Sequence, residues 1–207
     1  MSALRTLLRL LRAKHWTKNA VVLAAFVFAY GDQQQSLTLF TAWKAILAAV
    51  AFSLLSSAVY IFNDLRDAPQ DRLHPIKRRR PIAAGTVQPL PAAALALGLL
   101  VAALWGAWRI EPALLLVLGS YLLLQVVYTL GLKRVPLVDV LVISVGFVLR
   151  ALAGGVAIRV PISPWLLVCT MMLALFLALC KRRHEKVNLA GRGTRDALDG
   201  YDERLLD

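Results

Sequence analysis

The sequence is poor in the residues on which soluble folds and the commonest catalytic centres depend. It holds 2 cysteines, Cys169 and Cys180, both inside one apolar run, which excludes a disulfide framework and a cysteine-based zinc site. Its 3 histidines, His15, His74 and His184, are too scattered to nominate a metal trio. Acids number 12 against 24 Lys and Arg, and only 17% of the chain is charged while 59% is apolar. With a mean hydropathy of +0.65, this balance excludes an ordinary water-soluble globule. A net charge of +12 suggests nucleic acid, but the bases sit in joints between apolar runs rather than on one soluble face, so no nucleic-acid partner is expected.

The apolar residues form six runs, 17–30, 45–62, 91–108, 112–130, 138–158 and 164–180. A helix needs roughly 20 residues to cross a hydrocarbon core of about 30 Å. The pattern therefore predicts an all-α polytopic membrane bundle, a single domain over 1–207 with six transmembrane helices. The first run is short and tolerates Lys18 only near its end, where the side chain can snorkel. A cleaved secretory signal is not expected, since further runs follow and no small-residue cleavage site is evident. Trp43, Tyr60, Trp105, Trp108 and Trp165 fall near run ends, where amphipathic rings favour the headgroup zone. Ahead of the first run, Leu4, Leu7, Leu8 and Leu11 recur at helical spacing while Arg5, Arg9 and Arg12 fall elsewhere, which predicts a short amphipathic helix lying in the interface.

Nearly all Lys and Arg lie in the N-terminal arm, the joint 64–88, the joint with Lys133 and Arg134, and the tail from Lys181. Alternation of six spans puts these four segments on one side, and positive-inside bias makes that side the cytoplasm of a bacterial inner membrane.

Chemistry-bearing residues are densest in the joint after the second run. Asn63, Asp67 and Asp71 are spaced by four, and Asp64, Asp67 and Asp71 by three and four, so a helical continuation stacks these oxygens on one face. Pro69 disfavours helix at Ala68, so the helix is expected to kink or end there, with Asp71 approaching from a turn. Such oxygens suit Mg²⁺, which is usually held by one or two carboxylates plus substrate phosphates. The bases that follow, Arg72, Lys77 and Arg80, could grip the other oxygens of a diphosphate and stabilise the charge that builds as its bond to carbon breaks. Topology and solvation account for bases in this joint but not for regularly spaced acids beside them.

Arg150 lies deep in the 138–158 run, a costly position unless it faces a polar cavity. Asp139 is on nearly the same helical face but about 16 Å away along the axis, too far for a salt bridge. Both are expected to point into one cavity, with Asp139 near its cytoplasmic mouth.

The string Asn63-Asp64-x-x-Asp67-x-x-x-Asp71-Arg72, followed by Arg80-Pro81-Ile82-x-x-Gly85, resembles the first aspartate motif of the UbiA-type intramembrane prenyltransferase superfamily. The fuller stretch Asp71-Arg72-Leu73-His74-Pro75-x-Lys77-x-x-Arg80 is most similar to the branch that transfers phosphoribose to decaprenyl phosphate. So are Arg12-x-Lys14-x-Trp16-x-Lys18-Asn19, Tyr128 through Lys133, Asp139, and Gly146-Phe147-Val148-Leu149-Arg150-Ala151. Lys181-Arg182-x-x-Glu185 looks like that branch's second cluster.

The resemblance implies nine helices around a central cavity, of which this chain supplies six and so looks short at its C-terminus. It implies Mg²⁺ held by Asn63, Asp64, Asp67 and Asp71, with Arg72, Lys77, Arg80, Lys181 and Arg182 neutralising phosphates and Lys14, Lys18 and Asn19 closing the cavity. Tyr128, Lys133, Asp139 and Glu185 are the further substrate contacts it suggests, and Arg150 would lie close to the lipid phosphate. The implied reaction moves 5-phosphoribose from phosphoribosyl diphosphate to a polyprenyl phosphate. Prenyl transfer from a polyprenyl diphosphate to an aromatic acceptor, of quinone or haem type, is the alternative within the superfamily. A transporter or non-enzymatic scaffold is the alternative outside it, and adjoining clusters of acids and bases, with no inverted repeat, argue against that reading. Ala151, Gly154, Gly155 and Ala157 permit close approach of another helix or another subunit, which makes a homo-oligomer reasonable.

Overall fold

The computed structural model describes residues 3–31, 38–132 and 135–189, and among them the chain is helical with no strand. Seven α-helices follow in order: α1 (Ala3–Leu10), α2 (Ala24–Tyr30), α3 (Leu39–Leu73), α4 (Pro89–Ile110), α5 (Pro112–Leu130), α6 (Val138–Ile158) and α7 (Pro164–Leu189). Stretches of 3-10 helix occupy Ala13–Leu23 and Lys77–Arg79. Among the described residues, the helices α3 to α7 are the five that are long and apolar enough to cross a membrane.

Apolar content and helix ends fix these elements. Both α4 and α5 open on Pro at the first helical turn, where a missing amide donor costs nothing. At the start of α3 the Thr38 hydroxyl accepts from the Thr41 amide at 3.3 Å, and the Thr41 hydroxyl accepts from the Thr38 amide at 3.4 Å, a reciprocal cap. With 35 residues α3 is about 52 Å long, well beyond the hydrocarbon thickness, so its last turns project past the apolar layer. The break expected at Pro69 does not occur. The helix runs on to Leu73 and Asp71 is helical, because Pro69 removes one donor near the end while Ala68 and Asp71 are anchored on the buried face.

The run 17–30 is not one α-helix either. It is a 3-10 stretch to Leu23 continued by the short α2, pressed against α6. That contact explains Gly154, where a Cβ would meet the Val22 carbonyl oxygen at 1.9 Å, while a Cβ on Gly155 would meet Ile162, just past the end of α6, at 2.2 Å. The close approach they permit is thus made within the chain.

Helices α3 and α6 form the centre, burying 61% and 56% of their most apolar stretches against 11% for α7. Phe52, Leu55, Leu114, Leu118 and Tyr121 fill the core, with Ala48, Ala103, Ala107, Ala153 and Ala157 letting the backbones approach. Outward faces carry exposed Leu116, Leu123, Phe176 and Leu177, the inverse of a soluble surface. Trp43, Trp105, Trp108 and Trp165 are exposed near helix ends, whereas Tyr60 packs inward.

Candidate active site

The acids and bases of the long joint are gathered at one end of the bundle by a small second core. Ile61 and Ala68 of α3 pack with Leu10 of α1, Ile82 of the joint, and Ala92 and Ala96 of α4. Gly85 closes the joint at φ +72°, a conformation that a side chain would strain, and the Thr86 hydroxyl donates to the Pro81 carbonyl at 2.9 Å. This turn aims Arg80 back at α3. Its Nη1 donates to Asp64 Oδ1 at 3.0 Å and to Asp71 Oδ2 at 2.6 Å, so one guanidinium nitrogen bridges two buried carboxylates.

A second arginine reaches the same carboxylate from the N-terminal arm. Arg12 Nη2 donates to Asp64 Oδ1 at 2.5 Å, and its guanidinium lies 4.7 Å from the centre of the Tyr60 ring. Arg12 itself is in the left-handed conformation, with φ 51°. The arm is stitched to α3 beyond this pair. The Ser57 hydroxyl donates to the Leu11 carbonyl at 2.9 Å, and the Trp16 indole donates to Ser57 at 3.0 Å. Nearby, His15 lies 5.6 Å from Tyr60, and its pKa is held below the usual imidazole range by partial burial, then by the charges of Lys18, Arg12 and Lys181. The arm and the start of the tail therefore bring their cations together.

A further centre joins α6 to α7. Asp139 is fully buried and Arg182 nearly so, their Oδ2 and Nε 3.0 Å apart in an ion pair that lacks hydrogen-bond alignment. Arg182 also pairs with Glu185, and Lys181 Nζ stands 3.8 Å from the same carboxylate. Arg182 was expected among the phosphate ligands, yet it is spent on Asp139 and Glu185, while Lys181 is exposed.

Arg150 does not open into a polar cavity beside this acidic end. Its Nε donates to Asn19 Oδ1 at 2.9 Å, its Nη1 to the Gly146 carbonyl at 2.7 Å and its Nη2 to the Tyr121 hydroxyl at 3.0 Å. The rings of Tyr121, Phe52 and Phe147 lie 4.9, 5.1 and 5.3 Å from the guanidinium carbon. Asn19 in turn donates to Ser53 at 2.9 Å and to Ser56 at 3.3 Å, so this expected cavity-closing residue is a buried node. As the spacing implied, Asp139 and Arg150 have different partners.

Of the other expected residues, Asn63 accepts at Oδ1 from the Thr129 hydroxyl at 3.0 Å, and Asp67 is half-buried between Asp64 and Asp71 in sequence. Lys14, Lys18 and Arg72 are exposed, and Lys77 and Tyr128 are half-buried. Lys133 lies outside the described residues. Sequence reasoning quoted Arg12 in the N-terminal motif without giving it a site role, and left out the serines of α3 and Tyr121. Polar residues repeating inside an apolar run were the available signal for the last two.

Among the described residues no three His, Cys, Asp or Glu side chains converge as a ready metal cage. Two carboxylates close enough to share one guanidinium nitrogen nevertheless fit Mg²⁺, which takes one or two carboxylates and completes its shell with substrate phosphates and water.

Comparison with known proteins points to one family. The chain is 41% identical over 199 residues to a decaprenyl-phosphate phosphoribosyltransferase of Mycobacterium tuberculosis, an alignment covering 95% of this chain and 66% of the relative. It is 37% identical over 207 residues to the protein of the same name from Corynebacterium glutamicum, covering 97% of this chain and 61% of that one. The chain thus spans just under two thirds of the length of these relatives. In structure it is similar to a UbiA homologue of Archaeoglobus fulgidus solved bound to GPP and Mg²⁺, with a TM-score of 0.74 and 21% identity over 94% of this chain and 69% of the other. Residues 19–194 match the UbiA prenyltransferase family, and the chain belongs to that family.

Proposed function

We propose that this protein transfers 5-phosphoribose from phosphoribosyl diphosphate to a polyprenyl phosphate in a bacterial inner membrane. The observation that carries the reading is the pairing of Arg12 and Arg80 with Asp64 and Asp71, an acid and base centre at the headgroup end of the bundle. The names of its relatives supply the substrate class. Asp64 and Asp71, with Asp67 and Asn63 beside them, would hold Mg²⁺, which when bound with the donor neutralises charge on the diphosphate.

The chain's own residues would do the rest by handling charge. A lipid phosphate oxygen attacks C1 of the ribose and the C1–O bond to diphosphate breaks, its electron pair leaving with the diphosphate. The nucleophile is already anionic, so no base is required. That fits a site rich in Arg and Lys in which the pKa of His15 is lowered by partial burial and cationic neighbours. Arg12 and Arg80 would exchange carboxylate for phosphate oxygens as donor and metal arrive, with Lys14, Lys18, Lys77, Arg72 and Lys181 screening the product diphosphate. Arg150 acts through Asn19 as a positioning residue for the arm that carries Arg12. Asp139 and Arg182, paired in the interior with Glu185 beside them, hold α7 against α6, and Tyr128 and Lys133 stay proposed substrate contacts.

In this reading the acidic end faces the cytoplasm, where the Lys and Arg concentrate, and α1 lies in the interface on exposed Leu4, Leu7 and Leu8. The run 17–30 is read as a sixth crossing, its 3-10 part to Leu23 rising about 2 Å per residue against about 1.5 Å in α2, which lengthens a stretch too short for an all-α span.

Prenyl transfer to an aromatic acceptor is the second reading, favoured by the GPP and Mg²⁺ on the solved homologue. Membranes carrying the chain, supplied with radiolabelled polyprenyl phosphate and phosphoribosyl diphosphate, should form a labelled product that disappears with chelator and in Asp71→Asn. Product that survives both treatments sinks the metal assignment. Consumption of a prenyl diphosphate with an aromatic acceptor, and none of phosphoribosyl diphosphate, would select the second reading.

A further inference from the structure

At the end of the bundle opposite the acids, α3, α4, α5 and the residue after α6 line an open cavity of about 320 Å³, with Lys44, Trp108, Arg109, Glu111 and Arg159 among its walls. None of these residues enters the chemistry proposed above. Glu111 is buried at the start of α5, and its Oε2 accepts from Arg159 Nε at 2.5 Å. That hydrogen bond, then the charges of Arg159 and Lys44, hold the Glu111 carboxyl below its ordinary range. Arg159 is largely exposed and takes the left-handed conformation, φ 57°, uncommon for a residue with a side chain and a mark of local constraint.

The other two cations have aromatic partners. Lys44 Nζ lies 5.2 Å from the Phe40 ring centre, and the Arg109 guanidinium lies 6.0 Å from that of Trp105. Among the described residues, three cations against one carboxylate leave two positive charges uncompensated in one concave site. Positive-inside bias concentrates cations at the other end, so topology does not account for their convergence here. From the cavity an apolar stripe of exposed Trp105, Val101 and Leu97 descends one face of α4. Exposed Trp105 and Trp108 mark the depth as that of lipid headgroups.

We propose that this cavity binds the headgroup phosphate of an anionic phospholipid, with the acyl chains lying along the Leu97–Val101 stripe. Lys44 and Arg109 supply the charge, and the Glu111–Arg159 pair is the fixed wall. The test is native mass spectrometry of the detergent-solubilised chain titrated with phosphatidylglycerol, phosphatidylcholine or inorganic phosphate. Phosphatidylglycerol should bind in preference to phosphatidylcholine, and inorganic phosphate should fail to displace it at equal concentration. The double variant Lys44→Gln, Arg109→Gln should weaken phosphatidylglycerol binding about thirtyfold and each single variant about fivefold. Lys44→Arg with Arg109→Lys should bind as the unaltered chain does. Equal binding of the two lipids by the unaltered chain, undiminished binding by the Gln variants, or displacement by inorganic phosphate overturns the proposal, the last by making the site one for free anions.

Discussion

The contact that seats the N-terminal arm can be tested by a single methyl group. In Gly154→Ala the new Cβ would lie 1.9 Å from the Val22 carbonyl oxygen, 2.9 Å from its carbon and 3.4 Å from the Ala25 Cβ. The nearest atoms are backbone, so no side chain can swing aside, and the arm must retreat by about 1.5 Å to reach ordinary contact. Overpacking of this kind costs about 1–3 kcal/mol. Asn19 lies one 3-10 turn before Val22, and a retreat stretches its 2.9 Å bonds to Ser53 and from Arg150, leaving buried groups unsatisfied at roughly 1–3 kcal/mol more. Alanine recovers up to about 1 kcal/mol of helix propensity, too little to offset the loss. The net of roughly 1–6 kcal/mol corresponds to a fall in melting temperature on the order of 2–25 °C. Differential scanning fluorimetry in detergent reads it, with Gly98→Ala, whose Cβ meets nothing within 4 Å, as the control expected to show no fall. If Gly154→Ala melts with the control, the arm is not seated as described.

Two further expectations concern charge. Arg182→Ala strands the buried Asp139 carboxylate and should cost about 3–5 kcal/mol in the same melting assay, while Asp139→Leu combined with Arg182→Met should recover most of it. Equal losses in the single and double variants would show that the two side chains are not coupled. At the opposite end, the lowered pKa of Glu111 means that its contribution to stability is present above the ordinary carboxyl range and is lost as pH falls through its depressed value. The unaltered chain should therefore lose melting temperature on acidification relative to Glu111→Gln, and parallel curves for the two would rule the pair out as a pH-sensitive contact.

Which parts of this structure were legible in the sequence follows from how local their causes are. The bounds of α5 and α6 coincide with their apolar runs because Pro112 starts one and hydrocarbon contact sustains both. The helix α3 outruns its apolar stretch at both ends, since a threonine cap extends the start and tertiary anchoring of Ala68 and Asp71 carries the end past Pro69. The 3-10 character of Ala13–Leu23 has no counterpart in periodicity, and its close contact at Val22 with Gly154 is a tertiary one. In the acidic centre, the carboxylates were legible from spacing within one helix. Arg12 was not, because it meets Asp64 across 52 residues and through a left-handed backbone that composition does not announce.

Arg150 shows why an intramembrane charge marks a polar environment before it marks a substrate contact. A guanidinium in a low-dielectric interior is tolerable only if each donor is met. Here an amide oxygen, a carbonyl and a phenol meet one donor on each of its three nitrogens, with three aromatic faces packed around the cation. The sequence carried the cost of the charge in one residue and its compensation in Asn19, Ser53, Ser56 and Tyr121, scattered over three other apolar runs. Each looked like an isolated polar intrusion. Assembled, they lock the arm to α3, α5 and α6, so the charge at the centre of the bundle fixes the position of a different cation, Arg12, at its acidic end. Loss of the Arg150 guanidinium should accordingly be felt first as loosening of the arm and only through it at Asp64.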